Sequence, residues 1–166
     1  MKNNIEENSK IAQWVDKLLR ACSDSEDAAG IVEELTSGPV TFTEEDFAEH
    51  MKIHHPGVSA RVELEDGFLN LHAGFSIFSL TFVCTAEADT SGKMAYVRQE
   101  KGPALKNFLD IVGMCDRTEF LSYDDSRRSV SLDLSKIPED VNMVAFEIKK
   151  GCVVVELRKE VSNSLA

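Results

Sequence analysis

The spacing of apolar residues along the chain changes at Val58, from a helical repeat to a strand repeat. Before this position apolar residues recur every three or four residues, which is typical of helices with one buried face. From Val58 onward they alternate with polar residues, which is typical of strands with one face in water. Helices in one part of a chain and strands in another favour an α+β fold over alternating strands and helices.

Two helices are predicted before residue 37. Ser23 and Glu26 have the spacing of a capping box, in which a hydroxyl and a carboxylate bind backbone N–H groups at a helix start. We therefore expect a helix over residues 24–36, ended by the Ser-Gly-Pro sequence that follows it. The helix before it carries five apolar residues on one stripe: Ile11, Trp14, Val15, Leu18 and Leu19.

A third helix is predicted over residues 43–54. Thr43 and Asp46 have the spacing of a second capping box, and Phe42 and Phe47 occupy the two positions of a hydrophobic staple. The His-Pro-Gly sequence that follows ends the helix. Its start is the most sharply defined boundary in the first part of the chain.

Alternating apolar runs follow the helical part of the chain. Asp66-Gly67 separates the first two runs and is typical of a tight hairpin turn, whose central residues need positive φ. After this turn the apolar positions are odd-numbered as far as Ile77 and even-numbered from Phe78. Since a shift of one residue exchanges the two faces of a strand, we expect a bulge or bend within residues 74–79.

One more helix is predicted among the remaining strands. Gly102-Pro103 starts it, and four apolar residues share one face: Leu105, Phe108, Leu109 and Val112. Further strands are expected over residues 118–124, 129–134, 141–149 and 152–158. The strands are expected to form a curved antiparallel sheet. A chain of 166 residues suits a single domain, with an acidic helical segment (1–38), a sheet-and-helix body (39–158) and a frayed tail (159–166).

The chain carries a formal net charge of −11 at pH 7. Nucleic acids and anionic membranes bind basic surfaces, so this charge argues against both as partners. Residues 1–50 contain twelve acidic and four basic side chains, a net charge of −8, which leaves −3 for residues 51–166. Complementary charge favours association. Our alternative function is therefore an acidic interaction module or inhibitor, which docks on a basic protein through helices within residues 9–54.

Sequence motifs of catalysis are absent. The chain has no Gly-x-Ser-x-Gly sequence, no phosphate-binding glycine loop and no paired-cysteine zinc motif. Its four scattered cysteines favour a reducing compartment, and no apolar run approaches the length of a membrane span. Residues 1–7 also lack the apolar stretch of a signal peptide. We therefore expect a cytoplasmic, non-enzymatic protein without a cofactor.

Histidine spacing offers one candidate metal site. His50 and His54 lie four residues apart on the predicted third helix, and Asp46 lies one turn earlier, so the three side chains share a face. The alternative interpretation is a solvent-exposed helix edge, with core contacts made by Phe47 and Met51. Because the His-Glu-x-x-His arrangement is absent, we expect no metal here, and a metalloenzyme that uses this trio stays the third hypothesis.

Large apolar side chains are concentrated in the middle of the chain. They favour a groove between the curved sheet and the predicted helix that holds a lipid-like or other apolar ligand, because such pockets are apolar with few polar groups. The alternative is an ordinary filled core. The expected ligand-binding residues are Phe68, Leu69, Phe75, Ile77, Phe78, Leu80, Phe82, Leu105, Phe108, Leu109 and Val112.

The order of motifs resembles small bacterial proteins of the tubular lipid-binding (TULIP-like) type. The resemblance covers about residues 39–158, and the segments that carry it are Val40–Phe47, Val62–Leu71, Ala88–Lys93 and Leu134–Pro138. It implies a highly curved antiparallel sheet wrapped around one helix. It also implies a hydrophobic groove, no catalytic residues and the binding of a lipid-like molecule.

Overall fold

A computed structural model of the chain describes residues 9–23, 26–75, 77–103, 121–124 and 126–160, without the side chains of Phe75 and Phe78. In this part of the chain there are three helices, α1 (Lys10–Ala21), α2 (Ala28–Leu35) and α3 (Glu44–His54). The strands are β1 (Val40–Thr43), β2 (Ser59–Glu65), β3 (Phe68–Phe75), β4 (Phe78–Ala88), β5 (Met94–Lys101), β6 (Leu121–Asp124), β7 (Ser129–Asp133), β8 (Val141–Lys149) and β9 (Cys152–Lys159). The predicted α+β class is confirmed.

The strands form two antiparallel sheets rather than one. The larger sheet has the order β2-β3-β4-β5-β7-β6, and the smaller has the order β1-β9-β8. The smaller sheet packs against one part of the larger sheet, and residues of both lie in one buried core. The helix predicted near residues 103–112, around which a sheet was expected to wrap, lies outside the described residues.

The alternation of apolar and polar residues along the strands gives the larger sheet one buried face. Val62, Leu71 and Phe82 are neighbours across β2, β3 and β4, and they share the inner face. The outer face carries polar pairs, such as the ion pair of Arg98 with Glu87 at 2.7 Å. Ion pairs of this exposed kind add little stability, so the inner face supplies most of the driving force for folding.

The change from odd to even apolar positions arises from a chain reversal, not from the bulge or bend expected within residues 74–79. β3 and β4 form a hairpin in which Phe75 pairs with Phe78. Each odd-numbered residue of β3 therefore faces an even-numbered residue of β4, as Leu71 faces Phe82. The two runs share one face because the strands are antiparallel.

The acidic helices belong to the same core as the sheets. Leu18 of α1 and Val32 of α2 are buried in the cluster that contains Val155 of β9. Trp14 meets Phe42 of β1 edge to face, with ring centroids 5.8 Å apart. Four of the five residues predicted for the apolar stripe of the first helix pack in or against this core, namely Ile11, Trp14, Val15 and Leu18, whereas Leu19 is 37% exposed.

One of the two predicted capping boxes is confirmed. Thr43 Oγ1 accepts the Asp46 N–H at 3.2 Å, and the Asp46 carboxylate accepts the Thr43 N–H at 2.8 Å. The box at Ser23 and Glu26 is wrong. The N-cap of α2 is Asp27, whose side chain makes no capping bond, and the Ser23 hydroxyl donates to the Arg20 carbonyl at 2.6 Å. That hydroxyl closes α1 instead of starting α2.

Glu44 connects α3 to the edge of the larger sheet. Its Oε2 accepts the N–H of Leu64 in β2 at 2.7 Å. Because β2 is at the edge of the sheet as described, none of the described strands lies on this side to supply a carbonyl for this N–H. A charged acceptor makes a short and comparatively strong hydrogen bond, so the helix start is fixed against the strand.

The final hairpin agrees with its prediction. Phe146 pairs with Val155 and Ile148 pairs with Val153, across a turn at Lys150 and Gly151. These apolar residues form the inner face of the smaller sheet. In the described part of the chain, no helix has the length and apolar character needed to cross a membrane.

Candidate apolar binding site

A second group of buried side chains lies on the inner face of the larger sheet, apart from the main core. We call it the Phe82 cluster. Its buried members are Ala73, Phe82 and Cys84, and the half-buried residues packed around them are Met51, Val58, Leu71, Leu80, Val97, Tyr123 and Val130. The smaller sheet contributes none of these residues. The cluster therefore occupies the part of the inner face that the described smaller sheet does not cover.

Strand register brings these residues together from distant parts of the sequence. Ala73 pairs with Leu80, Leu71 with Phe82, and Val97 with Val130. Tyr123 pairs with Val130 across β6 and β7. Since paired residues of antiparallel strands share a face, all of these side chains meet on one side of the sheet.

Tyr123 gives the Phe82 cluster an unpaired polar group. Its hydroxyl oxygen is shielded from solvent and has no hydrogen-bond partner among the described residues. A buried hydroxyl without a partner costs about 1 to 3 kcal/mol. Such a group in an apolar surrounding suits a ligand with one hydrogen-bonding atom.

Gln99 is a buried polar residue of β5, and its amide is already bonded. Its Nε2 donates to the backbone carbonyls of Pro103 and Lys101. Gln99 pairs across the strands with Cys84. The side chain thus satisfies backbone groups at the end of β5.

The Cys84 thiol is not a candidate nucleophile. Burial, together with the negative charge of Glu100, raises the pKa of Cys84 to about 11. The reactive form of cysteine is the thiolate, which is scarce at neutral pH when the pKa is this high. Cys84 therefore serves the cluster as a small apolar side chain.

The predicted ligand-binding residues are divided between different surfaces. Leu80 and Phe82 belong to the Phe82 cluster, and Leu69 packs against the main core on the same inner face. Phe68, which is 46% exposed, pairs with Glu65 on the outer face, and Ile77 is 89% exposed at the hairpin turn. Alternation along β3 places Phe68 opposite to Leu69, so the two cannot line one groove.

The remaining predicted residues cannot be placed. The side chains of Phe75 and Phe78 lie outside the described residues, although their backbones pair across the hairpin. Leu105, Phe108, Leu109 and Val112 lie outside the described residues altogether. The described part of the predicted site therefore reduces to Leu80, Phe82 and their neighbours.

His50, His54 and His55 lie close together at the end of α3, but Asp46 does not belong to this group. Its carboxylate is used in the capping box and lies 3.9 Å from the Lys10 amine. The ring of His50 lies 4.8 Å from that of His54 and 6.0 Å from that of His55, between centroids. Within the described ranges, no group of three or more His, Cys, Asp or Glu residues could hold a metal ion.

His50 is neutral at physiological pH. Two causes lower the pKa of His50 to about 4: burial of its ring is the larger one, and the nearby charges of His54 and His55 are the smaller one. Its Nδ1 lies 2.7 Å from the hydroxyl of Ser9, the N-cap of α1, which also accepts the Ala12 N–H at 3.0 Å. The ring therefore links the start of α1 to the end of α3.

Two residues of these sites were not found from the sequence. Tyr123 follows the alternation of its strand, with Leu121 on the same face, and that pattern is the signal that points it inward. His55 lies beyond the helical repeat that relates His50 to His54. The repeat of one helix face therefore does not predict that His55 lies beside His50 and His54.

In comparisons with protein-family models, curated proteins and solved structures, nothing matches the chain. The resemblance to tubular lipid-binding proteins stays a prediction.

Proposed function

We propose that the protein is a non-enzymatic binding protein, which holds an apolar ligand with one hydrogen-bonding group at the Phe82 cluster. The buried Tyr123 hydroxyl, which has no hydrogen-bond partner in the described part of the chain, is the observation that carries this proposal. The side chains packed around it are apolar. Two nearby side chains offer no free charge, since the Gln99 amide is hydrogen-bonded and Cys84 is uncharged. A fatty acid or a fatty alcohol has the required chemistry.

The first experiment is native mass spectrometry of protein purified without detergent, followed by thermal denaturation with dodecanol and with dodecanoate. We expect a bound apolar molecule or a rise in melting temperature, because a ligand that binds only the folded state stabilises it. An empty protein whose melting temperature neither compound changes would contradict the proposal.

Tyr123→Phe tests the role of the hydroxyl. The substitution keeps the ring and removes one hydrogen bond to the ligand, so dodecanol affinity should fall about fivefold, equivalent to about 1 kcal/mol. Without ligand, the variant should be at least as stable as the wild type, since an unpaired hydroxyl has been removed. Titration calorimetry measures the affinity.

The chain supplies a matched control for this variant, because its second tyrosine lies elsewhere. Tyr96 is on the outer face of β5, where its ring lies below the Arg98 guanidinium. Tyr96→Phe should bind dodecanol as the wild type does. Equal losses in the two variants would show that the Tyr123 hydroxyl does not contact the ligand.

Uncompensated charge on the helices favours a second function, the docking of a basic protein. Glu33, Glu45 and Glu49 are exposed and have neither an ion pair nor a hydrogen bond with the described residues. Glu34, by contrast, pairs with Lys17 at 3.3 Å, and Glu44 is bonded to Leu64. Three carboxylates thus remain available to a partner.

Charge reversal at these three residues tests the second function. The triple variant Glu33→Lys, Glu45→Lys, Glu49→Lys should lose binding to a lysine- and arginine-rich peptide, measured by fluorescence anisotropy at low salt. Glu65→Lys, on the outer face of the larger sheet, should leave binding nearly unchanged. A wild type that does not bind the peptide, or variants that bind equally, would contradict docking through the helices.

A further inference from the structure

The described residues of the Phe82 cluster offer no charged partner to a bound ligand. Their side chains are apolar, apart from the hydroxyl of Tyr123 and the thiol of Cys84. The amide of Gln99, which pairs across the strands with Cys84, donates to backbone carbonyls. A ligand head group that reaches the Tyr123 hydroxyl therefore leaves water without gaining an ion pair from these residues.

Basic side chains of the neighbouring strands and turns point elsewhere or lie in solvent. Arg98 of β5 pairs with Glu87 at 2.7 Å on the outer face of the sheet. Arg128, just before β7, is exposed, and its guanidinium donates to the Gly102 carbonyl at 3.4 Å. Lys101, at the end of β5, is exposed as well. In the part of the chain that the structure describes, no cation belongs to the cluster.

Cys84 shows how this environment acts on an anion. Its thiol is buried together with Phe82, and this burial is the larger of two causes that raise the pKa of Cys84 to about 11. The negative charge of Glu100 is the smaller cause. A raised pKa means that the anionic form is less stable here than in water. A carboxylate in the same cluster would meet the same two penalties.

We propose that the Phe82 cluster selects uncharged ligands, such as long-chain alcohols and esters, over the anions of fatty acids and other charged amphiphiles. This inference rests on the proposed function, because it concerns the ligand of the same site. The Tyr123 hydroxyl donates a hydrogen bond to the oxygen atom of the uncharged head group.

The cost of leaving water separates the two kinds of head group. One hydrogen bond satisfies much of the requirement of a buried alcohol or ester oxygen. A buried carboxylate needs an ion pair or several donors, and without them its transfer from water is far more costly. The single hydroxyl of Tyr123 does not offset that cost. We therefore expect at least a tenfold difference in affinity between the uncharged and the charged ligands.

Titration calorimetry of the full chain with four probes of one chain length tests the selection. At pH 8 dodecanol and methyl dodecanoate are uncharged, dodecanoate is an anion and dodecylamine is a cation. Dodecanol and methyl dodecanoate should bind with similar affinity, and each of the two ions at least tenfold more weakly. The ester is the matched control for dodecanoate, because it keeps both oxygen atoms and removes the charge.

The outcomes distinguish this inference from the proposed function. Binding of dodecanoate or dodecylamine as tight as that of dodecanol would overturn the selection and leave an apolar binding site standing. Methyl dodecanoate that binds as weakly as dodecanoate would also overturn it, since size and not charge would then decide. Failure of all four probes to bind would contradict the proposed function itself.

Glu100→Gln gives a second measurement of the charge effect. Glu100 is exposed, so its replacement should leave the fold intact, as circular dichroism will verify. At low salt the affinity for dodecanoate should rise about twofold to threefold, and that for dodecanol should stay the same. Glu147→Gln on β8, a strand that contributes no residue to the cluster, should change neither affinity. Equal effects of the two substitutions on dodecanoate binding would overturn the role of charge in the selection.

Discussion

Replacing Phe82 with alanine is expected to lower the free energy of unfolding by about 3 to 5 kcal/mol. The Phe82 side chain is 0% exposed and is buried together with Ala73 and Cys84 in the cluster that carries its name. The substitution removes the buried ring and leaves a cavity, and both effects destabilise the fold. Urea denaturation followed by circular dichroism measures the change.

Ile77→Ala is the matched control for Phe82→Ala, because both residues were predicted to line the same groove. Ile77 is 89% exposed, so its truncation should change stability by no more than about 0.5 kcal/mol. Similar effects of the two substitutions would contradict the division of the predicted residues between buried and exposed surfaces. A loss below about 1 kcal/mol for Phe82→Ala would show that the cluster is loosely packed.

Leu18→Ala is expected to destabilise the protein by about 2 to 5 kcal/mol. Leu18 is 1% exposed and lies in the core shared by α1, α2 and the smaller sheet. Truncation leaves a cavity in the core cluster that also contains Val32 and Val155. Denaturation in urea, monitored by the fluorescence of Trp14, measures the effect at the helix itself.

Leu19→Ala provides a comparison on the same helix. Leu19 is 37% exposed, so its truncation should cost clearly less than that of Leu18. Equal costs would contradict the orientation of α1. An unaltered stability of Leu18→Ala would show that the acidic helices do not contribute to the folded core.

Local sequence signals predicted much of the fold because they act within a few residues. The apolar stripe of α1 and the capping box at Thr43 are examples, as is the final hairpin around Gly151. A local signal also gave a wrong prediction at Ser23. Its hydroxyl has two possible backbone partners at similar distance along the chain, one in the preceding helix and one in the following helix. It bonds the end of the preceding helix, and spacing alone does not choose between the two.

The pairing of strands that are distant in the sequence could not be predicted from local signals. The reversal between Phe75 and Phe78 carries none of the glycine or asparagine signals of a tight turn, so the odd-to-even change suggested a bulge. Division into two sheets depends on β1 pairing with β9, two segments far apart in the sequence. Alternation predicts which residues share a face, but not which strand lies beside which.

Only part of the candidate site could be predicted, because local signals do not show which strand lies beside which. Leu80 and Phe82 follow from the period of two within β4. Phe68 was grouped with them by size alone, although alternation along β3 places it on the other face. Tyr123 reaches the cluster only through the register of β5, β6 and β7, which no single segment encodes.

The pairing of β1 with β9 also has a consequence for synthesis on the ribosome. Val40 is synthesised long before its partner Val155, because β1 and β9 are far apart in the sequence. Until then the buried faces of α1 and α2 lack the strand that covers them, and exposed apolar surface invites aggregation or chaperone binding. Folding of the smaller sheet therefore waits until β9 has been synthesised.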